Sequence, residues 1–135
     1  MAATAGGHTQ VLVWNWRQPA QTISNRPFFT KVLPVQKISD VQLRLSGLVA
    51  GSYRLVVRRT GFHANDAHTR YLEMGSPASL TPAQIGEMQA LTADRPETDR
   101  VIRVARDGRY ALRVPMRTND VVLATLEPAG LVEAE

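Results

Sequence analysis

Apolar and polar residues alternate with a period of two along most of this chain, and the breaks in that alternation divide it. From Gln10 the run Val-Leu-Val-Trp-Asn-Trp sets Leu12, Trp14 and Trp16 on one face of a strand, and Val11, Val13 and Asn15 on the other. Both faces are largely apolar, which predicts an interior strand or one covered by something outside the chain. Between Arg17 and Pro34 the pattern collapses, because three prolines and an Asn25-Arg26-Pro27 step oppose ladder pairing. Phe28 and Phe29 either pin that loop to the body or, if exposed, mark a contact surface.

Alternation returns from Ile38 to Leu48. Val41, Leu43 and Leu45 share one face, Gln42 and Arg44 take the other, and Ser46-Gly47 closes the strand. After Ala50-Gly51, residues Tyr53, Leu55 and Val57 point inward while Arg54 and Arg58 point outward. These two strands are expected to pair as antiparallel neighbours. Val101 to Val114 reads as a hairpin whose register can be decided physically. A two-residue Asp107-Gly108 turn would pair Ala105 with Tyr110 and Arg103 with Leu112, bringing arginine onto the core face. A three-residue turn, Arg106-Asp107-Gly108 with Gly108 left-handed at a bulge, pairs Val104 with Tyr110 and Ile102 with Leu112. It keeps both apolar rows together and is preferred. Asn119-Asp120 opens a last strand ended by Pro128, and the tail 129–135 is expected to fray. About six strands separated by turns, with no internal repeat, predict a mainly β fold, an antiparallel immunoglobulin-like β-sandwich rather than a barrel. One domain over 1–135 is expected.

The segment from Gly61 to Leu91 does not fit the strand pattern and reads as an insertion. Thr81-Pro82-Ala83-Gln84 is a capping box with proline at the first helical position, so one short helix is expected through Leu91, with Ile85, Met88 and Leu91 on its buried side. Gly75-Ser76-Pro77 forces a turn before it. His63, Asp66, His68 and Glu73 give the insertion the look of a site. The five-residue spacing of His63 and His68 fits neither one helix face nor one strand face, so no metal centre is expected from them. Glycosidic hydrolysis needs two carboxylates across a sugar, and no such pair stands out.

Composition narrows the picture further. With 44% apolar and 21% charged residues among 135, the chain suits one folded core, and no apolar run approaches the length of a membrane span. No cysteine is present, which removes disulfides and thiolate chemistry and leaves the compartment undetermined. No signal peptide is visible in the first residues. The net charge of +4 comes mostly from arginine, Lys31 and Lys37 being the two lysines. Arg103, Arg109 and Arg113 sit at strand spacing, as on the outer face of a sheet, and no clustered basic stripe or module points to nucleic acid. Neither a phosphate-cradling glycine loop, a His-Glu-x-x-His pair nor a serine elbow occurs.

The run from Asn65 to Ile85, NDAHTRYLEMGSPASLTPAQI, resembles the signature of the C-terminal β domain of glycoside hydrolase family 39, the β-xylosidase family. The resemblance extends to VLVWNW, to the Tyr53–Arg59 strand followed by Gly61-Phe62, and to NDVVLATLEP, in order along nearly the whole chain. His68 departs from the pattern, since many members carry an aromatic residue there. The resemblance implies an upstream (β/α)8 catalytic barrel as partner, with this sandwich packed against it. The family's two catalytic glutamates belong to that barrel. This chain has no Asn-Glu-Pro motif, so no catalytic residue carries over, and no cofactor or metal is implied. Met1 is expected to be an internal methionine or an engineered start, and localisation stays open, a periplasmic or secreted parent enzyme being one option.

Three readings follow. The chain is a catalytically silent accessory domain bracing the barrel, with His63, Asn65, Asp66 and Tyr71 as candidate interdomain or active-site-rim contacts. Alternatively it is a carbohydrate-binding module, taking xylo-oligosaccharide on Trp14, Trp16 or Tyr71, although tryptophans at these positions are more often core. The third is a self-associating interaction domain that uses an uncovered face or strand edge to form homo-oligomers.

Overall fold

The computed structural model describes residues 1–24, 29–32 and 34–130. Its strands are β1 (Ala2–Ala5), β2 (His8–Trp14), β3 (Val41–Leu45), β4 (Gly51–Thr60), β5 (Pro96–Val104), β6 (Tyr110–Val114) and β7 (Val121–Pro128). Its helices are α1 (Ala67–Glu73) and α2 (Pro82–Leu91). A five-stranded sheet ordered β1-β2-β7-β4-β5 faces a two-stranded sheet of β3 and β6, and every pairing is antiparallel. The chain is an antiparallel β-sandwich, as the alternation predicts.

Strand β4 sorts the inside from the outside. Tyr53, Leu55 and Val57 on it meet Val122, Ala124 and Leu126 of β7 and Ile102 and Val104 of β5, with Val114 and Met116 closing the core from the other sheet. Val41, Leu43 and Leu45 of β3 pack on that core, while Gln42 and Arg44 face solvent. Leu55 and Leu126 are wholly buried. Each such leucine contributes on the order of 1.5–3 kcal/mol through removal of apolar surface from water.

Two expected pairings do not form. β3 pairs with β6 rather than with β4, and β5 pairs with β4 rather than with β6. Ile102 lies opposite Tyr53, and Leu112 opposite Leu43. The apolar rows do share one core, but across the sandwich instead of side by side, because the 105–109 segment crosses between the sheets. Gly108 is left-handed as expected, with φ +64, and its amide donates to Ala105 O at 3.0 Å. Its carbonyl accepts from Leu48 N at 3.1 Å, tying the two crossovers together. A Cβ here would lie 2.6 Å from Leu48 O, so both the conformation and the approach require glycine.

Other differences are local. There are seven strands among the described residues, because Gly6-Gly7, both at positive φ, make a two-residue hairpin turn that pairs β1 with β2. The insertion holds two helices where the capping box alone marked one, and they pack chiefly on one another. No residue of α2 is fully buried and Ile85 is 44% exposed, because no sheet lies beneath that helix. Phe28 and most of the tail fall outside the described residues.

Candidate functional site

The insertion is held at its base by one asparagine. Asn65 donates from Nδ2 to Arg59 O at 2.9 Å and Arg95 O at 3.0 Å, and accepts from Arg95 N at 2.9 Å. It thus bonds the exit of β4 to the entry of β5, at a positive φ of 47 that asparagine tolerates. Asp66 caps α1, accepting from Thr69 N at 2.9 Å and His63 N at 3.3 Å. His63 stacks on Phe62 with centroids 4.0 Å apart and brings Nε2 to 2.6 Å from Glu73. Tyr71 donates to Pro77 O at 3.1 Å, which spends its hydroxyl on the turn before α2. The Thr81–Gln84 capping box is formed as the sequence predicts. His68 turns away from His63 to the carbonyl of Phe29 at 3.1 Å. The two histidines do not converge, and no metal-ligand cluster occurs among the described residues.

Beneath the insertion lies a charge cluster that the sequence reading missed. Asp120 is fully buried and accepts from Arg59 Nη1 at 2.5 Å, Arg117 N at 2.9 Å, Arg117 Nε at 3.2 Å and Arg117 Nη2 at 3.1 Å. Arg59 also donates to Glu97 from Nε and Nη2, at 2.8 and 3.0 Å, and to Pro115 O at 2.9 Å. The β4–β5 register slips between Val57 and Arg58, so Glu97 is an extra residue on β5, and this bulge lets it reach the inward-facing guanidinium. Burial opposes the charge on Arg59, but hydrogen bonds and the charges of Glu97 and Asp120 outweigh it and raise the pKa. Gly61 completes the fit, since a Cβ there would come within 2.2 Å of Asp120 Oδ1. One signal was present: with Tyr53, Leu55 and Val57 inward, alternation puts Arg59 inward too, and a buried arginine needs an acid.

The tryptophans are not core residues. Trp14 is 56% exposed and Trp16, beyond the end of β2, is 64% exposed. Trp14 lies opposite Val121 on the outer face of the five-stranded sheet, where no layer of the described chain covers them. Phe29 is 48% exposed beside them, as in the contact-surface alternative for that residue. Trp16, Phe29 and Val121, together with Phe62 and Leu72 of the insertion, line a groove of about 260 Å³ that also meets Asp66, His68 and Asn119. Of the sequence candidates, Trp16 and Asp66 come together here, and Trp14 adjoins through Val121. His63, Asn65 and Tyr71 serve the insertion's own frame.

No protein-family model matches the chain, and no curated protein does. Solved structures do. The family 39 glycoside hydrolase of Xanthomonas axonopodis pv. citri is 45% identical over 95% of this chain, with a TM-score of 0.88. A monomeric β-xylosidase from Caulobacter crescentus CB15 is 45% identical over 96%, with a TM-score of 0.87, and a family 39 β-xylosidase from Caulobacter crescentus is 34% identical over 94%, with a TM-score of 0.68. The chain spans only 25%, 26% and 22% of those proteins, respectively.

Proposed function

This chain is a β-sandwich domain of the glycoside hydrolase family 39 type, and from that premise we propose that it is a non-catalytic accessory domain that braces the catalytic barrel of a β-xylosidase-like enzyme. The observation that carries the reading is the match itself: 45% identity over 95% of the chain, confined to a quarter of the matched enzyme. The remaining three quarters is where the reading puts the barrel and the hydrolysis of β-xylosidic bonds. The acids of the insertion support it. Asp66 caps a helix, Glu73 holds His63, and Glu87 is bound by Arg70 at 2.6 Å, so each serves the domain's own frame. Purified chain is expected to release no chromophore from an aryl β-xyloside. Turnover at an enzyme-like rate would overturn the reading.

A second reading is favoured by one observation, the exposure of Trp14 and Trp16, since exposed aromatic rings are what a sugar-stacking platform needs. Calorimetry with xylo-oligosaccharides decides it: saturable heat that Trp14→Ala and Trp16→Ala abolish would establish a carbohydrate-binding module, and no heat would remove it. Self-association through strand edges is less well supported. β5 opens with Pro96 and sets Arg100 on the inner side opposite Leu55, and Pro115 follows β6, all of which guard an edge. Sedimentation at several concentrations would reveal a dimer.

A further inference from the structure

The outer face of the five-stranded sheet has two halves. Toward β5 it is closed by the chain's own ion pairs, Arg54 with Asp99 at 2.6 Å and Arg58 with Asp94 at 3.4 Å. Toward β2 it is apolar and open, carrying Leu12, Trp14, Val121 and Leu123, and it runs into the groove between α1 and the Trp16 segment. Resting on the accessory-domain reading, we infer that the barrel seats on this second half, and that the surface it presents there is apolar at the centre and acidic at the rim. Aromatic side chains at such a centre are the residues that carry most of an interface's affinity.

The charge around the patch selects the occupant. Arg17 and Lys31 lie along its border: Lys31 lines the groove, and Arg17 N donates to Asn119 of the groove wall at 2.7 Å. Among the described residues no carboxylate forms an ion pair with either of them, and the Arg17 side chain rests on neutral Gln36 at 3.1 Å. Asp66, the acid in the groove wall, is spent on the backbone of Thr69 and His63. A second copy docked through the same patch would bring two cations against two cations. A neutral xylo-oligosaccharide has no use for a cationic border. An acidic-rimmed apolar surface satisfies both centre and border.

The test replaces the matched quarter of the monomeric Caulobacter β-xylosidase with this chain and follows the half-life of xyloside hydrolysis on heating. The unaltered chimera is expected to be active. Val121→Asp, and separately Arg17→Glu with Lys31→Glu, should each shorten the half-life on the order of tenfold or more, the second less so at high salt. Val101→Asp, 67% exposed at the opposite edge, should leave it unchanged. In the isolated chain the Arg17 and Lys31 reversals should leave the urea midpoint unchanged, which separates docking from folding. An active chimera indifferent to both patch variants, or equally hurt by Val101→Asp, overturns the assignment of the face and leaves the accessory role standing. A chimera that folds but gains nothing from the domain over the truncated enzyme overturns the accessory role and this inference with it. Dimers or xylo-oligosaccharide binding abolished by Val121→Asp would give the patch to another occupant.

Discussion

β4 carries two arginines five residues apart that meet acids in opposite surroundings. Arg54 points out and grips Asp99 through two hydrogen bonds at 2.8 and 2.6 Å, with both side chains in solvent. Arg59 points in and is shared between Glu97 and Asp120, with its side chain only 9% exposed and that of Asp120 wholly buried. The outer pair has water as an alternative partner, so its formation changes little. The inner cluster has little water to turn to, and Asp120 neutralises Arg59 and Arg117 together, so losing the carboxylate leaves Arg117 without an acid and Arg59 with Glu97 alone. Strand geometry alone separates the two cases, and the contrast extends to the faces: inner positions are filled by the chain itself, while the apolar half of the outer face is not.

The largest expected effect breaks the inner pair. Asp120→Ala removes the carboxylate that holds Arg59, Arg117 and the Arg117 amide, and it should cost about 3–5 kcal/mol. That is a large share of the roughly 5–15 kcal/mol by which domains are stable. Urea unfolding followed by tryptophan emission measures it. A loss no greater than that from Arg54→Ala, measured the same way, would erase the distinction between the faces.

A gentler variant sharpens the comparison. Gly61→Ala drives a methyl toward Asp120 Oδ1, an atom held by Arg117 Nη2 on a carboxylate whose other oxygen is bound by Arg59, and overpacking of this kind costs about 1–3 kcal/mol. The penalty should largely vanish in the Asp120→Ala background, where the obstructing oxygen is gone. That non-additivity is the readout, since contacting residues couple and distant ones do not. Equal penalties in both backgrounds would mean that the backbone at Gly61, and not the carboxylate, demands glycine.

Much of this was legible along the chain. Alternation placed Tyr53, Leu55, Val57, Val41, Leu43 and Leu45 on the correct side, and Thr81 to Gln84 marked a real helix start, because both signals are local. The mistaken pairings were decided by crossovers. Whether Ser46-Gly47 and Arg106-Asp107-Gly108 turn within a sheet or arch between sheets depends on Leu48 meeting Gly108, sixty residues away in sequence. The tryptophans misled for a related reason. An apolar position on an uncovered face and one facing the core have the same period, and only the count of layers over the sheet tells them apart. The aromatic groove was half anticipated through Phe29 and VLVWNW, whereas Asp120 looked like an ordinary strand opener.

The smallest expected effect belongs to the outer pair and concerns pH. The hydrogen bond from Arg54, aided by its charge, holds the Asp99 carboxyl below the usual carboxylate range. A carboxyl whose pKa is lower folded than unfolded adds stability above its unfolded value, and that contribution fades as the pH falls through the folded one. Asp99→Asn should therefore lower the urea midpoint slightly at neutral pH and leave it matching wild type once the medium is more acid than the folded carboxyl. Because both side chains are solvated, added salt should shrink even the neutral-pH difference. A large, salt-independent loss on Asp99→Asn would mean that the outer face is as tightly built as the inner one. The β5 half would then no longer serve as the self-contained counterpart of the open β2–β7 half.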